Sequence, residues 1–425
     1  MTATDATIAD AHHPTAWYTE MGTTERRTFW AATGGWILDA MDVQMFSFAI
    51  LAIMNAFAVS KADVGAIGTA TLVASAIGGW AAGVLADRIG RVRTLQITIG
   101  WFAVFTFLCG FAQNYTQLFA FRALMGFGFG GEWAAAAVLI GEVITPRHRG
   151  KAVGTMQAGW PVGYGLAAVI ATLFFSVFPP DLAWRVMFWF GLTPAVLVLF
   201  VRRFVSEPPV YAQSRENLAR AGRATNFLEV FSPAMLRTTV LSCLLSTGAL
   251  GGYYAITTWL PTFLSTERKL TVLGTGGYVA VVITGALLGS LFSAWLNDRI
   301  GRRPTFILFS VLSLVTVVSY TQIPLDDQIM LFLGFPLGFF SQAIFGGLGP
   351  LLTEVFPTRM RGSGQGFAYN FGRGIAAMMP FLVGKLSGVL SLGHSIGVFA
   401  AFSYVLLIAA AVALPETRGK ALAAD

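Results

Sequence analysis

Twelve apolar stretches, each long enough to cross a lipid bilayer, divide this sequence of 425 residues. A helix needs about 20 apolar residues to cross the hydrocarbon layer of a membrane. Only 12% of the residues are charged, whereas a soluble globular chain has about 25%. The stretches lie at residues 28–57, 64–86, 94–113, 117–141, 151–178, 183–203, 237–264, 272–296, 304–323, 328–353, 361–389 and 393–414. We therefore predict an all-α membrane protein with twelve transmembrane helices.

The longest polar segment separates six of these stretches from the other six. This division predicts two six-helix bundles joined by a central loop. The expected parts are an N-terminal tail (1–27), an N-terminal bundle (28–203), the loop (204–236), a C-terminal bundle (237–414) and a C-terminal tail (415–425).

The basic residues indicate how the chain is oriented in the membrane. With both termini in the cytoplasm, the cytoplasmic segments hold 21 Lys and Arg residues and the outer loops hold three. Such a bias sets topology, and it accounts for the net charge of +7 without any nucleic acid partner. Residues 1–27 lack the apolar core and the cleavage site of a signal peptide. We predict a multi-pass protein of the bacterial inner membrane.

Residues that commonly bind metals or carry out catalysis are few and scattered. Cys109 and Cys243 lie within apolar stretches, so we expect neither a disulfide nor a metal site. The four histidines lie at a terminus or in loops. No nucleophile, base and orienting residue can be named together. We therefore predict no cofactor and no enzyme activity.

Two segments of the first half recur in the second half in the same order. GGWAAGVLADRIGRVRT (78–94) reappears as GSLFSAWLNDRIGRRPT (289–305), and GEVITPRHRGKAVG (141–154) reappears as TEVFPTRMRGSGQG (353–366). Repeated segments of this kind indicate a parallel duplication. In a duplicated membrane protein the substrate site is expected between the halves, near the midplane of the bilayer.

These repeated segments resemble the major facilitator superfamily, and the resemblance covers about residues 20–420. It implies a transporter whose two halves open alternately to the two sides of the membrane. In that family the charged residues of these loops form a conformational latch on the cytoplasmic side, and charged hydrogen bonds would hold this latch closed. The simpler alternative is that these charges only set the orientation of the chain in the membrane. The residues concerned are Asp87, Arg88, Arg91, Glu142, Arg149, Asp298, Arg299, Arg302, Glu354 and Arg361.

Asp42 and Arg122 lie at similar depths in the first and fourth stretches. At 1.5 Å per helical residue, each lies about 8 Å inside the outer boundary of a layer about 30 Å thick. Equal depths within one half allow an ion pair. The resemblance implies that such a pair couples transport to protons, because a carboxylate accepts a proton more readily when its cationic partner moves away. The alternative is a static structural pair.

Two further carboxylates are candidate proton sites. Asp39 lies one helical turn before Asp42, and either shares its proton or replaces it as the main site. Glu132 lies near the midplane, where ionisable groups are costly and often functional. Its GGEW setting resembles that of carboxylate porters of the family. Glu132 is equally compatible with two roles, a second proton site or a hydrogen-bond acceptor that fixes a neighbouring helix.

Arg373 lies about 18 Å from Arg361 along the eleventh stretch, near the midplane. A guanidinium binds a carboxylate through two parallel hydrogen bonds, so we predict that Arg373 binds a substrate carboxylate, with Asn370 beside it. The alternative is a pair with an acidic residue of the same half. The candidate walls of this site, which packing alone also explains, are Gln157, Trp160, Tyr164, Tyr253 and Tyr254.

These features predict a proton-coupled symporter that imports a small organic anion, such as a monocarboxylate or an aromatic acid, and functions as a monomer. A proton antiporter that exports drugs or metabolites is the first alternative. A sugar:proton symporter is another, although the run SCLLSTGALGGYY lacks the paired glutamines that sugar porters carry. A nutrient sensor is remote, since sensors usually append a long cytoplasmic domain.

Overall fold

The computed structural model describes residues 16–143, 152, 155–193, 195–196, 201, 230–356 and 361–417. Within these ranges it leaves out the side chains at 16–17, 83–84, 87–88, 91, 132–138, 140–142, 273, 294, 298, 353 and 361–363. The residues that it describes form α-helices and contain no strand.

The N-terminal half contains α1 (Ala16–Thr19), α2 (Thr23–Phe57), α3 (Lys61–Ile89), α4 (Arg91–Cys109), α5 (Tyr115–Val143), α6 (Gly159–Val177) and α7 (Pro180–Phe190). The C-terminal half contains α8 (Pro233–Thr257), α9 (Leu260–Thr266), α10 (Val272–Ile300), α11 (Arg302–Gln322), α12 (Asp327–Ala343), α13 (Phe345–Val355), α14 (Arg361–Ala376), α15 (Met379–Leu386) and α16 (Leu392–Ala413). The main cluster of buried apolar side chains extends through both halves.

Nine helical segments among the described residues are long and apolar enough to cross a membrane. They coincide with nine of the twelve predicted spans. Of the other three, 117–141 corresponds to α5, which has several side chains outside the described set. The span 183–203 runs beyond the described residues, and α14 and α15 divide the span 361–389. The count of twelve and the position of the termini stay predictions.

The duplicated loops adopt the same backbone conformation in the two halves. Gly90, between α3 and α4, has φ 106° and ψ 157°, and Gly301, between α10 and α11, has φ 103° and ψ 165°. Side chains other than glycine rarely adopt these angles. The repeat of the sequence is therefore also a repeat of the structure.

The two halves meet along closely packed helices. A Cβ atom on Gly65 of α3 would lie 2.5 Å from the carbonyl oxygen of Pro380 in α15. A Cβ atom on Gly384 of α15 would lie 2.5 Å from the carbonyl oxygen of Lys61. Small residues allow helices of membrane proteins to approach in this way. The contact between α3 and α15 therefore depends on glycine on both sides.

Replacing Gly65 with alanine is expected to destabilise the fold. The added methyl group has no room at 2.5 Å from a carbonyl oxygen, and overpacking of this kind costs about 1–3 kcal/mol. Gly100 of α4 is a matched control, because a Cβ atom there would meet nothing within 4 Å. Thermal unfolding in detergent tests the pair. Equal unfolding temperatures for Gly65→Ala and Gly100→Ala would contradict the close contact.

Candidate functional site

The structure brings Asp42 of α2 and Arg122 of α5 together as a buried ion pair. Arg122 Nη1 lies 3.0 Å from Asp42 Oδ2, and the two side chains are 1% and 0% exposed. The ring of Phe46 lies 4.6 Å from the Arg122 guanidinium and that of Phe188 lies 5.7 Å away. The ion pair that equal depths in the membrane allowed is therefore present between Asp42 and Arg122. Its role in proton coupling stays a prediction.

A cavity of about 380 Å³ lies between the two halves, and we call it the central cavity. Helices α2 and α6 and the residues beside α6 supply its N-terminal wall, while α8, α12, α13 and α14 supply its C-terminal wall. Its lining residues are Trp36, Gln157, Trp160, Leu250, Tyr253, Tyr254, Gln342, Phe345, Tyr369 and Arg373. The predicted position of the substrate site, between duplicated halves, coincides with this cavity.

Arg373 is the cationic group of the central cavity lining. Its side chain is 1% exposed. Nη2 donates a hydrogen bond to the hydroxyl of Tyr369 at 3.3 Å, while Nε and Nη1 have no hydrogen-bond partner among the described residues. The ring of Phe129 lies 5.3 Å from the guanidinium. Buried polar groups are normally hydrogen-bonded, so these two nitrogens are available to a ligand.

A carboxylate of the other half lies near Arg373. Asp39 of α2 is fully buried and close enough to interact electrostatically with the Arg373 guanidinium. Tyr254 interacts with the same guanidinium. An acidic group of the N-terminal half thus partly balances the cation of the C-terminal half. The alternative predicted from the sequence, an acidic partner in the same half, is not what the described residues show.

Three other polar atoms of the central cavity lining lack partners within the described part of the chain. They are Gln157 Oε1, Gln342 Oε1 and Trp36 Nε1. The two amide oxygens accept hydrogen bonds and the indole nitrogen donates one. Together with Arg373, the cavity offers donors for a carboxylate and acceptors for hydroxyl or amide groups of a small molecule.

A second cavity of about 430 Å³ lies toward the C-terminal ends of α2 and α8, and we call it the distal cavity. It shares Trp160, Tyr253 and Tyr254 with the central cavity. Its other lining residues are Val43, Gln44, Phe46, Ser47, Gly68, Thr71, Leu72, Arg122, Thr257, Thr258 and Pro380. The Trp160 indole N–H donates a buried hydrogen bond to the Tyr253 hydroxyl. This bond joins the two halves at the wall between the cavities.

Replacing Tyr253 with phenylalanine is expected to destabilise the contact between the halves. The substitution leaves the buried indole N–H of Trp160 without its acceptor, which costs about 1–3 kcal/mol. Denaturant unfolding of the Tyr253→Phe chain measures the loss. In a Trp160→Phe background the same substitution is expected to have a much smaller effect, because the donor is already absent. Additive effects of the two substitutions would argue against the hydrogen bond.

The chain matches the sequence profile of the Major Facilitator Superfamily over residues 33–286 and 274–424. It belongs to the major facilitator superfamily. The protein named "Probable 4-methylmuconolactone transporter" of Cupriavidus pinatubonensis is 44% identical over 407 residues, which cover 96% of this chain and 94% of that protein. The "Cis,cis-muconate transport protein" of Acinetobacter baylyi is 30% identical over 389 residues, with coverage of 90% and 92%.

The fold of the superfamily is also present in solved structures. The xylose transporter XylE from E. coli, in an inward open conformation, matches with a TM-score of 0.73 and 20% identity over 93% of this chain and 97% of that chain. At this identity the likeness shows the fold alone. The family match and the sequence relatives make the chain a multi-pass transporter of the inner membrane and not an enzyme.

The charged loop of the C-terminal half forms a compact network of hydrogen bonds. Arg302 Nη2 donates to Glu354 Oε1 at 3.0 Å, and the other oxygen of Glu354 accepts the hydroxyl of Thr417. The Glu416 carboxylate accepts the backbone N–H groups of Arg302 and Arg303 at the start of α11. These contacts join α11, α13 and the segment after α16 within one half. A latch between the halves of this superfamily member stays a prediction.

Several predicted gating and proton-site residues do not line either cavity or lie outside the described residues. Arg299 is exposed and its guanidinium lies 5.3 Å from the Trp295 ring. Arg149 lies outside the described residues, and so do the side chains of Asp87, Arg88, Arg91, Glu132, Glu142, Asp298 and Arg361.

Two predicted substrate-binding residues are not among those that line the central or the distal cavity. The Asn370 amide donates to the carbonyl of Gly366, and its oxygen faces Gly79 of α3. Tyr164 is buried and packs against Phe48. In their place the structure adds Trp36, Gln342 and Tyr369. An amide inside an apolar span was the available sequence signal for Gln342, because such groups are rare there.

Proposed function

We propose that this chain is a proton-coupled symporter that imports a small organic acid, with Arg373 as the ligand of the substrate carboxylate. The observation that carries the proposal is the buried Arg373 guanidinium, which lines the central cavity with two nitrogens that have no partner among the described residues. A carboxylate matches such a fork through two parallel hydrogen bonds. The compounds named for the two relatives, 4-methylmuconolactone and cis,cis-muconate, are small organic compounds of this kind.

The charge balance of the central cavity supports proton coupling. Without substrate, Arg373 is balanced in part by Asp39. A substrate carboxylate at Arg373 takes over this role, and Asp39 can then accept a proton, so the net charge of the cavity stays the same. An uncompensated buried charge is strongly unfavourable. Substrate and proton therefore bind favourably together.

The Asp42–Arg122 pair supplies a second proton site in the N-terminal half. Its two groups are buried, so protonation of Asp42 leaves a buried cation without its counterion. Protonation of Asp42 is therefore costly in the conformation that holds the ion pair, and it favours a shift of the two halves to another conformation. In our proposal the carboxylates of α2 take protons on the outer side and release them inside, while the halves open alternately to the two sides.

An uptake assay with matched ligands tests the proposal. Proteoliposomes containing the purified chain are given niacin, nicotinamide, 4-methylmuconolactone or cis,cis-muconate. Niacin and nicotinamide share a ring, but niacin carries a carboxylate where nicotinamide carries a neutral amide. An inward proton gradient is expected to drive accumulation of at least one of the acids but not of nicotinamide. Accumulation of nicotinamide alone, or export of every transported compound against the proton flow, would refute organic-acid symport.

Thermal unfolding of the purified chain with the same compounds gives an independent readout. A ligand that binds only the folded state at 100 times its dissociation constant adds about 2.7 kcal/mol to the free energy of unfolding. The acids that are taken up are expected to raise the unfolding temperature, and nicotinamide is expected to leave it unchanged.

A further inference from the structure

The distal cavity contains the second buried arginine of the site region. Arg122 lines it and forms its ion pair with Asp42 through Nη1, whereas Nε has no hydrogen-bond partner among the described residues. The guanidinium is 1% exposed. It adjoins the central cavity at the wall formed by Trp160, Tyr253 and Tyr254.

The groups around the pair leave Asp42 as the counterion of Arg122. Helix α4 faces the pair with the thiol of Cys109 and the hydroxyl of Thr106. Helix α7 contributes the Phe188 ring. Helix α8 presents the phenols of Tyr253 and Tyr254 to the cavity. Helix α3 contributes Thr71 and Leu72 to the wall, and α2 itself also carries Asp39, which interacts with Arg373.

The hydroxyl groups of the wall do not replace Arg122 as donors. Thr71 and Thr257 each donate to a carbonyl oxygen of their own helix, those of Ile67 and Tyr253. The Ser47 hydroxyl donates to the amide oxygen of Gln44. The Gln44 amide nitrogen also lines the cavity and has no hydrogen-bond partner among the described residues. It is a neutral donor, so the positive charge that a carboxylate would meet in this cavity is that of the Arg122 guanidinium. That guanidinium is fully available only when Asp42 no longer needs it.

We propose that the distal cavity is a second carboxylate-binding site, in which Arg122 takes the transported acid once Asp42 has accepted a proton. Protonation makes Asp42 neutral, and the buried Arg122 cation then attracts an anion from the adjoining cavity. The acid later passes the wall of Trp160, Tyr253 and Tyr254 to reach Arg373. This inference rests on the proposed function and adds an order to it, in which the proton binds before the acid.

The number of bound acid molecules tests the second site. Asp42→Asn keeps the size of the side chain and removes its charge, so Arg122 loses its counterion permanently. Titration calorimetry of the purified chain with benzoate is expected to give two sites for Asp42→Asn. Asp42→Asn with Arg122→Gln is expected to lose the distal site and keep the central one. Asp42→Asn with Arg373→Gln is expected to lose the central site and keep the distal one.

The unmodified chain gives a second test, which does not depend on whether a substituted chain folds. Benzoate binding is measured at pH 8 and at pH 5.5, and because lower pH favours the protonated form of Asp42, the number of benzoate molecules bound is expected to rise from one towards two as the pH falls. Two results would overturn the second site and leave the proposed function intact. One is a single site in Asp42→Asn that disappears when Arg373→Gln is added. The other is one bound benzoate in the unmodified chain at both pH values. Retention of the central site after Arg373→Gln would instead contradict the proposed function.

Discussion

Replacing Arg373 with glutamine is expected to weaken binding of the transported acid by at least about 30-fold and to abolish its uptake. Loss of one partner of a buried, hydrogen-bonded charge pair costs about 2–5 kcal/mol, and each 1.4 kcal/mol is tenfold in affinity. Arg373→Lys is expected to recover part of the affinity, because it keeps the charge and loses the fork-shaped donor. Titration calorimetry with the best acid of the uptake assay measures both variants.

The same experiment separates a binding role of Arg373 from a structural one. The guanidinium also contacts Tyr369 and lies near Asp39, so the unfolding temperature of each variant is measured alongside the affinity. A folded Arg373→Gln chain that binds the acid with unchanged affinity would remove Arg373 from the substrate site. A folded chain that has lost binding supports its role as ligand.

Replacing Asp42 with asparagine is expected to abolish accumulation of the acid while exchange of bound for free acid continues. Asparagine resembles the protonated carboxyl and cannot release a proton, so the transport cycle that needs proton release at Asp42 cannot be completed, and a proton on Asp39 alone does not drive net uptake. Exchange needs no net proton movement and therefore survives. Counterflow in proteoliposomes, with labelled acid outside and unlabelled acid inside, measures the second activity separately from the first.

Asp63 provides a matched control for this carboxylate. It lies at the start of α3, where its carboxylate accepts the backbone N–H of Ser60 at 2.9 Å, and asparagine can also accept such a bond. Asp63→Asn is therefore expected to keep gradient-driven uptake. An Asp42→Asn chain that still accumulates the acid against its gradient would show that Asp42 does not couple transport to protons.

Features that depend on helix length and on local turns could be predicted from the sequence. The rise of 1.5 Å per residue is fixed, so the depths of Asp42 and Arg122 followed from residue counts, and the structure pairs them. The repeated DRIGR segments fixed two equivalent turns, at Gly90 and Gly301. The superfamily itself followed from the same repeats and is confirmed.

Features that depend on how helices rotate against one another could not be predicted. Beside Arg373, Asn370, three positions earlier, was predicted as a site residue from the sequence, whereas Tyr369, four positions earlier, was not. At 3.6 residues per turn, Tyr369 lies about 40° from Arg373 around the helix and Asn370 about 60° on the other side. Tyr369 contacts the guanidinium, whereas Asn370 faces α3. Which side faces the cavity depends on packing between the halves.

Contacts between buried charges of the two different halves also could not be predicted from the sequence. Asp39 and Arg373 are 334 positions apart, and no repeat relates them. Depth counting places both in the membrane, but their encounter depends on how α2 and α14 come together across the central cavity. The charges of the duplicated loops presented the opposite problem. Their residue types were clear, yet Arg302 and Glu354 pair within one half.

Proton movement during transport tests the account most directly. Proteoliposomes without a pre-formed gradient are given the acid with the strongest uptake on the outside, and the external pH is followed. Symport predicts that the external solution becomes more alkaline as the acid enters, and that Asp42→Asn abolishes this signal. Entry of the acid with no change in external pH, or with acidification, would contradict proton-coupled symport.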